Sequence, residues 1–327
     1  MVKAPDPTAV LRDHQKSVQA ICFHNERKSL LFSGDVDGKL KVWNLEKRRV
    51  QCEHRVYPKD SGLVSMCVGG GGETNTLLTQ GRDGSVKIWD IERLGSCCQG
   101  GEEEEEEAKP LAGFATGCYN FCRFSTDKGG GGSGDEDCTS KNMVSIPGSD
   151  ACTVEVWDAL QCVKAAEIKP PQPVGGGENT RAGMCMALCL KAAPQNESKV
   201  LWAGYESGVV ACWDLRDCKE PLSCVKLGEE PLMALDVDRT GCSGVCGSVS
   251  TELVAFKQVK GKESRAVRIE KTHTFHIKEP GVSDVTIRGD RRIFVSAGWD
   301  GHVRVYDYKK KAALAVLKVS DLVTVLK

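Results

Sequence analysis

Apolar residues along this chain come in short runs, never long ones. Val18–His24 reads VQAICFH, Ser29–Gly34 reads SLLFSG and Lys39–Leu45 reads KLKVWNL. Each run has strand length and is bounded by Gly, Asp or charged residues, which predicts short β-strands. After Asp83–Gly84, Val86 and Ile88 alternate with Lys87 and Trp89, the period of two expected of a strand. Asp37–Gly38 and Asp83–Gly84 predict tight hairpin turns, because glycine accepts the positive φ such turns need. PLSCVKLG (Pro221–Gly228) predicts an outer strand, and no stretch reads as an amphipathic helix.

One turn-then-strand sentence recurs. It appears as GDVDGKLKVWN (Gly34–Asn44), GRDGSVKIWD (Gly81–Asp90), GYESGVVACWD (Gly204–Asp214) and GWDGHVRVYD (Gly298–Asp307). The closing aromatics are Trp43, Trp89, Trp157, Trp213, Phe256 and Tyr306, with steps of 46, 68, 56, 43 and 50 residues. The two long steps hold insertions such as GGEEEEEEAKP (Gly100–Pro110), DKGGGGSGDED (Asp127–Asp137) and KPPQPVGGGENTRAG (Lys169–Gly183). Without them the period falls in the forties. Four short strands per period predict the blade of a β-propeller, and a lone blade cannot bury both faces. The expected fold is therefore all-β: a single propeller domain over residues 1–327, with flexible insertions near 69–73, 98–110, 127–141 and 169–183. Six blades are recognisable.

The residues carry a resemblance. SGDVDGKLKVWN, TQGRDGSVKIWD and AGWDGHVRVYD, with the upstream RDH ending at His14, resemble the WD40-repeat family. In that family His, Ser or Thr, Asp and Trp knit each blade. The resemblance implies His14, Ser33, Asp37 and Trp43 for the first blade, with Asp37 accepting from His14 and holding the turn. It implies Thr79, Asp83 and Trp89 for the second, with His54 as a weak fourth, and His273, Ser296, Asp300 and Tyr306 for the sixth. Trp89–Asp90, Trp157–Asp158 and Trp213–Asp214 are the Trp-Asp pairs of blades two to four. Blade five, SVSTELVAFKQ, has neither the turn Asp nor that pair, and blades three and four lack the upstream His.

Charge narrows the function. Lys plus Arg is 44 and Asp plus Glu is 45, so the chain lacks the basic field of a nucleic-acid binder. No run approaches the roughly 18 apolar residues of a membrane span. MVKAPDPTAVLRDHQ has no apolar signal core, which places the chain in the cytoplasm or nucleus, where its 17 cysteines are expected to stay reduced. Cys118/Cys122 and Cys185/Cys189 sit in runs that read as strands, where residues four apart lie roughly 13 Å apart, too far to share a metal. They are expected to be small buried hydrophobes, with no metal and no cofactor. The glycine runs Gly69–Gly72, Gly129–Gly132 and Gly175–Gly177 lack the Gly-Lys-Ser/Thr ending of a phosphate loop. There is no G-x-S-x-G or H-E-x-x-H, and recurring Ser, His and Asp argue for structure, since a catalyst needs one site. No catalytic residue is expected. The run Glu102–Glu107 reads as a solvated loop, or as an electrostatic contact for a basic partner.

LLFSG, LLTQGRD, EEPLMALDVD, PGVSDVTIR and VSAGWDGHVRVYD further resemble the G-protein β-like branch of the family. That resemblance implies a non-catalytic interaction scaffold. Its implied partners are a chaperone-linked complex and the phosphatidylinositol-3-kinase-like kinases it matures, with no γ subunit, nucleic acid or membrane. Two alternatives stand beside it: a G-protein β transducer, which the two prolines of APDPTAV oppose by disfavouring an N-terminal helix, and a nucleic-acid- or chromatin-associated propeller. The residues after AALAVLKV (Ala312–Val319) suffice for one more strand. An incomplete seventh blade of Leu322–Leu326 and Ala9–Arg12 is expected, in a truncated or spliced chain; a closed six-bladed ring is the rival.

Overall fold

The computed structural model describes residues 9–69, 75–96, 108–126, 143–171, 182–192, 199–260 and 267–318. They form six sheets of four antiparallel strands, each in simple consecutive order from the inside outward. Blade 1 is β1 (Val18–Phe23), β2 (Leu30–Asp35), β3 (Lys39–Asn44) and β4 (Arg49–Arg55). Blade 2 is β5 (Leu63–Val68), β6 (Thr76–Gly81), β7 (Ser85–Asp90) and β8 (Ala112–Ala115), with the short helix α1 (Ile91–Gly95) before its outer strand. Blade 3 is β9 (Ser125–Thr126), β10 (Met143–Pro147), β11 (Val154–Asp158) and β12 (Val163–Ile168). Blade 4 is β13 (Cys185–Ala192), β14 (Lys199–Tyr205), β15 (Val209–Asp214) and β16 (Ser223–Lys226). Blade 5 is β17 (Leu232–Val237), β18 (Ser243–Ser248), β19 (Glu252–Lys260) and β20 (Val267–His276). Blade 6 is β21 (Val282–Ile287), β22 (Ile293–Gly298), β23 (His302–Asp307) and β24 (Ala312–Lys318).

The blades share their irregularities as well as their strands. A register shift falls at the second residue of β1, β5, β13, β17 and β21. The tight turn after the second strand needs a left-handed residue, and glycine supplies it at Gly38 (φ 78), Gly84 (φ 74), Gly208 (φ 78) and Gly301 (φ 71). A Cβ on Gly38 would also lie 2.3 Å from the Tyr57 carbonyl oxygen, so that turn packs against the next blade's entry.

The core lies between blades. Five clusters join blades 1 and 2, 2 and 3, 3 and 4, 4 and 5, and 5 and 6, each built from facing sides of neighbouring sheets. Phe32, Leu40 and Val42 of blade 1 meet Leu63, Met66 and Trp89 of blade 2, all essentially without exposure. Among the described residues no such cluster joins blade 6 back to blade 1; there Val295, Val303 and Val305 are half-buried. The six inner strands surround an axial cavity of ≈ 360 Å³, which Ala20, Met66, Ser125, Leu190, Asp236 and Val285 all reach.

Three expectations change. Ala9–Arg12 forms no strand: Val10 is 62% exposed, and the segment instead leads to Asp13, which pairs with Lys41 on blade 1. Leu322–Leu326 lies outside the described residues, as do Glu102–Glu107 and most of the insertions. The run CYNFCRF (Cys118–Phe124) is a connection, not a strand, because Tyr119 and Phe121 point to solvent and only Ser125–Thr126 pair with β10. A helix is also present: Asp90 caps α1 by accepting from the amides of Glu92 and Arg93.

Candidate functional site

The residues singled out by the repeat build a network that holds blade 1 together. His14 Nδ1 donates to Asp35 Oδ2 at 2.8 Å, and His14 Nε2 meets Ser33 Oγ at 2.7 Å. The Trp43 indole donates to the same Ser33 Oγ at 2.7 Å. Asp35 also takes the backbone N–H groups of Asp37 and Lys39 on Oδ1, which closes the turn. Burial alone would push the Asp35 carboxyl up. The hydrogen bonds from His14 and the two amides outweigh it and hold it below its ordinary value.

Asp37 is therefore not the histidine's partner. Its carbonyl accepts from Arg55 and its amide serves Asp35. The carboxylate two residues after Ser33 lies inside the fold beneath the turn, whereas the one four residues after it lies on the turn itself.

Blade 2 uses the same hydroxyl–indole link without a histidine. Trp89 Nε1 donates to Thr79 Oγ1 at 2.8 Å, and the Tyr57 hydroxyl donates to the Thr79 carbonyl at 2.9 Å. Tyr57 is 1% exposed and stands where His14 stands in blade 1. His54 lies elsewhere, against the Leu94 carbonyl, because β4 pairing turns it toward α1. Asp83 serves only its own turn, accepting from the amide and hydroxyl of Ser85.

In blade 6, Tyr306 stacks on Phe294 at 4.6 Å between centroids, and Asp300 is paired with Arg304. The Arg304 hydrogen bond holds the Asp300 carboxyl below its ordinary value. His273 does not join them. It is exposed on β20 of blade 5, opposite Ala255, with its ring edge on Phe275. In blade 3, Trp157 turns away to bond Glu155 and stacks on Phe114 of blade 2, 4.5 Å between centroids. Asp158 caps its turn through the amides of Leu160 and Gln161. In blade 4, Trp213 is buried against Tyr205, and Asp214 grips Arg216.

Around the axis the blades are tied by charge. Arg123, leading into blade 3, pairs with Asp284 of blade 6 at 2.8 Å, and Lys191 of blade 4 pairs with Asp236 of blade 5 at 3.2 Å. Asp236 also accepts the amide of Ile287 in blade 6. Burial pushes Cys189 and Cys246 each up to about 12, far from a reactive thiolate. Cys52 departs from the expected reduced state: it is disulfide-bonded.

The antiparallel order sends the second-to-third turns and the interblade connections to one face, the loop face, and the other turns to the opposite turn face. Large apolar groups stand exposed on the loop face: Tyr119 (61%), Phe121 (63%), Met184 (45%) and Trp299 (43%). Tyr119 and Phe121 meet edge to face, and the Arg82 guanidinium lies 5.2 Å from the Phe121 ring centre. Sequence reading missed Tyr119 and Phe121, because their run has strand-like apolar content. The signal available was the interruption of that run by Asn120 and Arg123.

Comparison with known proteins gives the same frame. The model for the WD domain, G-beta repeat, matches residues 5–44 and 269–307. Guanine nucleotide-binding protein subunit beta-like protein 1 of Mus musculus is 28% identical over 317 residues, covering 96% of this chain and 86% of its own length. ASTRA-associated protein 1 of Verticillium alfalfae is 28% identical over 341 residues, covering 97% and 77%. ASTRA-associated protein 1 of Schizosaccharomyces pombe is 24% identical over 368 residues, covering 96% and 90%.

Proposed function

We propose that this WD40-repeat propeller is a non-catalytic protein-binding scaffold, and that it works with a chaperone assembly in the maturation of phosphatidylinositol-3-kinase-like kinases. The likeness to ASTRA-associated proteins across nearly the whole chain supports the assembly part of the reading. The carrying structural observation is the exposed Tyr119–Phe121 pair on the loop face. Aromatic side chains flanked by an arginine are what protein interfaces concentrate at their centres.

The one Asp–His–Ser chain among the described residues supports the non-catalytic part. Ser33 is 4% exposed, and its Oγ accepts from Trp43, so no substrate carbonyl can reach it. Asp35 is 1% exposed and spends its other oxygen on the turn. The geometry of a triad is thus used to fasten β2 to the segment before β1. The scaffold is expected in cytoplasm and nucleus.

The test is affinity purification of tagged chain with mass spectrometry, comparing parent with Tyr119→Ser/Phe121→Ser. The kinases or their chaperones should co-purify with the parent and be depleted at least several-fold in the variant, whose melting should match the parent. Depleting the protein should lower kinase abundance without changing the kinase messages. Unchanged kinase levels would remove the maturation role.

A further inference from the structure

We propose that the turn face of blades 5 and 6 docks an acidic segment of a partner protein. This rests on the scaffold reading and adds the chemistry of a second contact, on the side away from Tyr119 and Phe121.

The chain's near-zero net charge hides a sharp local sign. The turn between β17 and β18 carries Arg239; that between β21 and β22 carries Arg288, Arg291 and Arg292; and that between β23 and β24 carries Lys309, Lys310 and Lys311. Two of these cations sit where the backbone favours glycine: Arg291 at φ 58 and Lys311 at φ 55. The same left-handed position falls on Arg48 and Cys162 in the outer turns of blades 1 and 3, so the turn shape belongs to the fold and, in blade 6, sets where the Lys311 side chain leaves the backbone.

Buried groups hold the patch in place. Asp238, whose side chain is fully buried, lies 2.8 Å from Arg291 Nε as a charge contact, and it accepts from the amide and hydroxyl of Thr240. Lys311 Nζ stands 4.3 Å from the Tyr308 ring centre. These contacts fix the bases of Arg291 and Lys311 across the seam between blades 5 and 6. They do not neutralise the patch. Burial lowers the affinity of Lys311 for its proton, and the opposing pull of Asp238 and Asp307 does not make up the difference. An added anion restores what this ammonium lacks.

The patch suits carboxylates better than a nucleic-acid backbone. Arg288 already grips the Asp290 carboxylate with two hydrogen bonds of 2.9 and 2.7 Å. Asp290 and Asp307, both on these turns, interrupt the unbroken positive track that successive phosphates require. A peptide whose acidic residues are spaced can pass between them.

The experiment is fluorescence anisotropy on the full chain with a fluorescein-labelled ten-residue polyglutamate peptide, and separately with a labelled 20-base-pair DNA duplex. Arg292→Glu/Lys309→Glu/Lys310→Glu reverses exposed charges on the turn face; Lys59→Glu/Lys278→Glu does so on the loop face. Both should melt like the parent. Peptide binding is expected to weaken at least tenfold in the turn-face variant, to stay within twofold in the loop-face variant, and to fall as salt rises. Equal effects of the two variants, no binding of the peptide by the parent, or tighter binding of the duplex through the same lysines would overturn the proposal. Kinase co-purification that survives the turn-face charge reversal would leave the scaffold reading standing while this contact fell.

Discussion

His14 and Asp35, separated by 21 residues, meet at 2.8 Å beneath the turn between β2 and β3 of blade 1. Together with the contact between His14 and Ser33 at 2.7 Å, the bond ties the segment before β1 to β2 through buried groups.

Asp35→Ala should therefore destabilise the fold far more than Asp37→Ala. Removing Asp35 strands the His14 ring nitrogen and two backbone amides. Hydrogen bonds to a charged group contribute about 1.5–3 kcal/mol, and the loss should fall at or above that. Asp37→Ala removes an exposed-side carboxylate and should cost about 0.5 kcal/mol or less. Differential scanning calorimetry of both variants decides it: equal melting would refute the role given to Asp35.

Stability should fall on the acid side in a way that Asp35→Asn reduces. Asp35 and Asp300 both have folded-state pKa values below their unfolded ones. A depressed carboxylate adds stability above its unfolded pKa, about 3.9, and loses it as pH falls through the folded value. The melting temperature of the parent should drop steeply below about pH 4. Asp35→Asn should start lower at neutral pH and decline less steeply. A parallel curve would show that the carboxylate is not the titrating group.

Tyr57→Phe should lower stability by about 1 kcal/mol while His54→Ala changes it little. The Tyr57 hydroxyl is buried and serves Thr79; the His54 imidazole reaches only the Leu94 carbonyl at the side of the sheet. Urea unfolding with matched m-values separates the two.

Arg123→Met and Asp284→Asn should each destabilise, and the double variant should cost clearly less than their sum. Blades 3 and 6 stand opposite one another, and this pair bridges them at the axis. Removing one member of a half-buried pair leaves the other's charge less compensated than removing both together does. A coupling near zero in the double-mutant cycle would mean the bridge does not brace the ring.

The propeller itself was legible in the order of residues. Period-two apolar runs of six or so residues, a glycine at the second turn of blades 1, 2, 4 and 6, and a closing aromatic every forty-odd residues once the insertions are set aside fix strand length, turn and blade. These are local constraints, and Val18–Phe23, Leu30–Asp35 and Lys39–Asn44 fall within a residue of the runs that predict them. Ser33–Trp43 and Thr79–Trp89 were also readable, since a hydroxyl and an aromatic set diagonally, two positions apart in register, share one face of neighbouring strands. What the sequence could not determine is which group completes each link from outside the hairpin. Asp35 or Asp37, Tyr57 or His54, and the place of His273 depend on how each connection enters its blade, and that is set by packing between sheets. The same holds for the exposure of Tyr119 and Phe121 and for the sign of the turn face. A net charge of −1 sums over the chain. Only the tertiary structure brings Arg239, Arg291, Lys309 and Lys311 from three separate turns onto one surface.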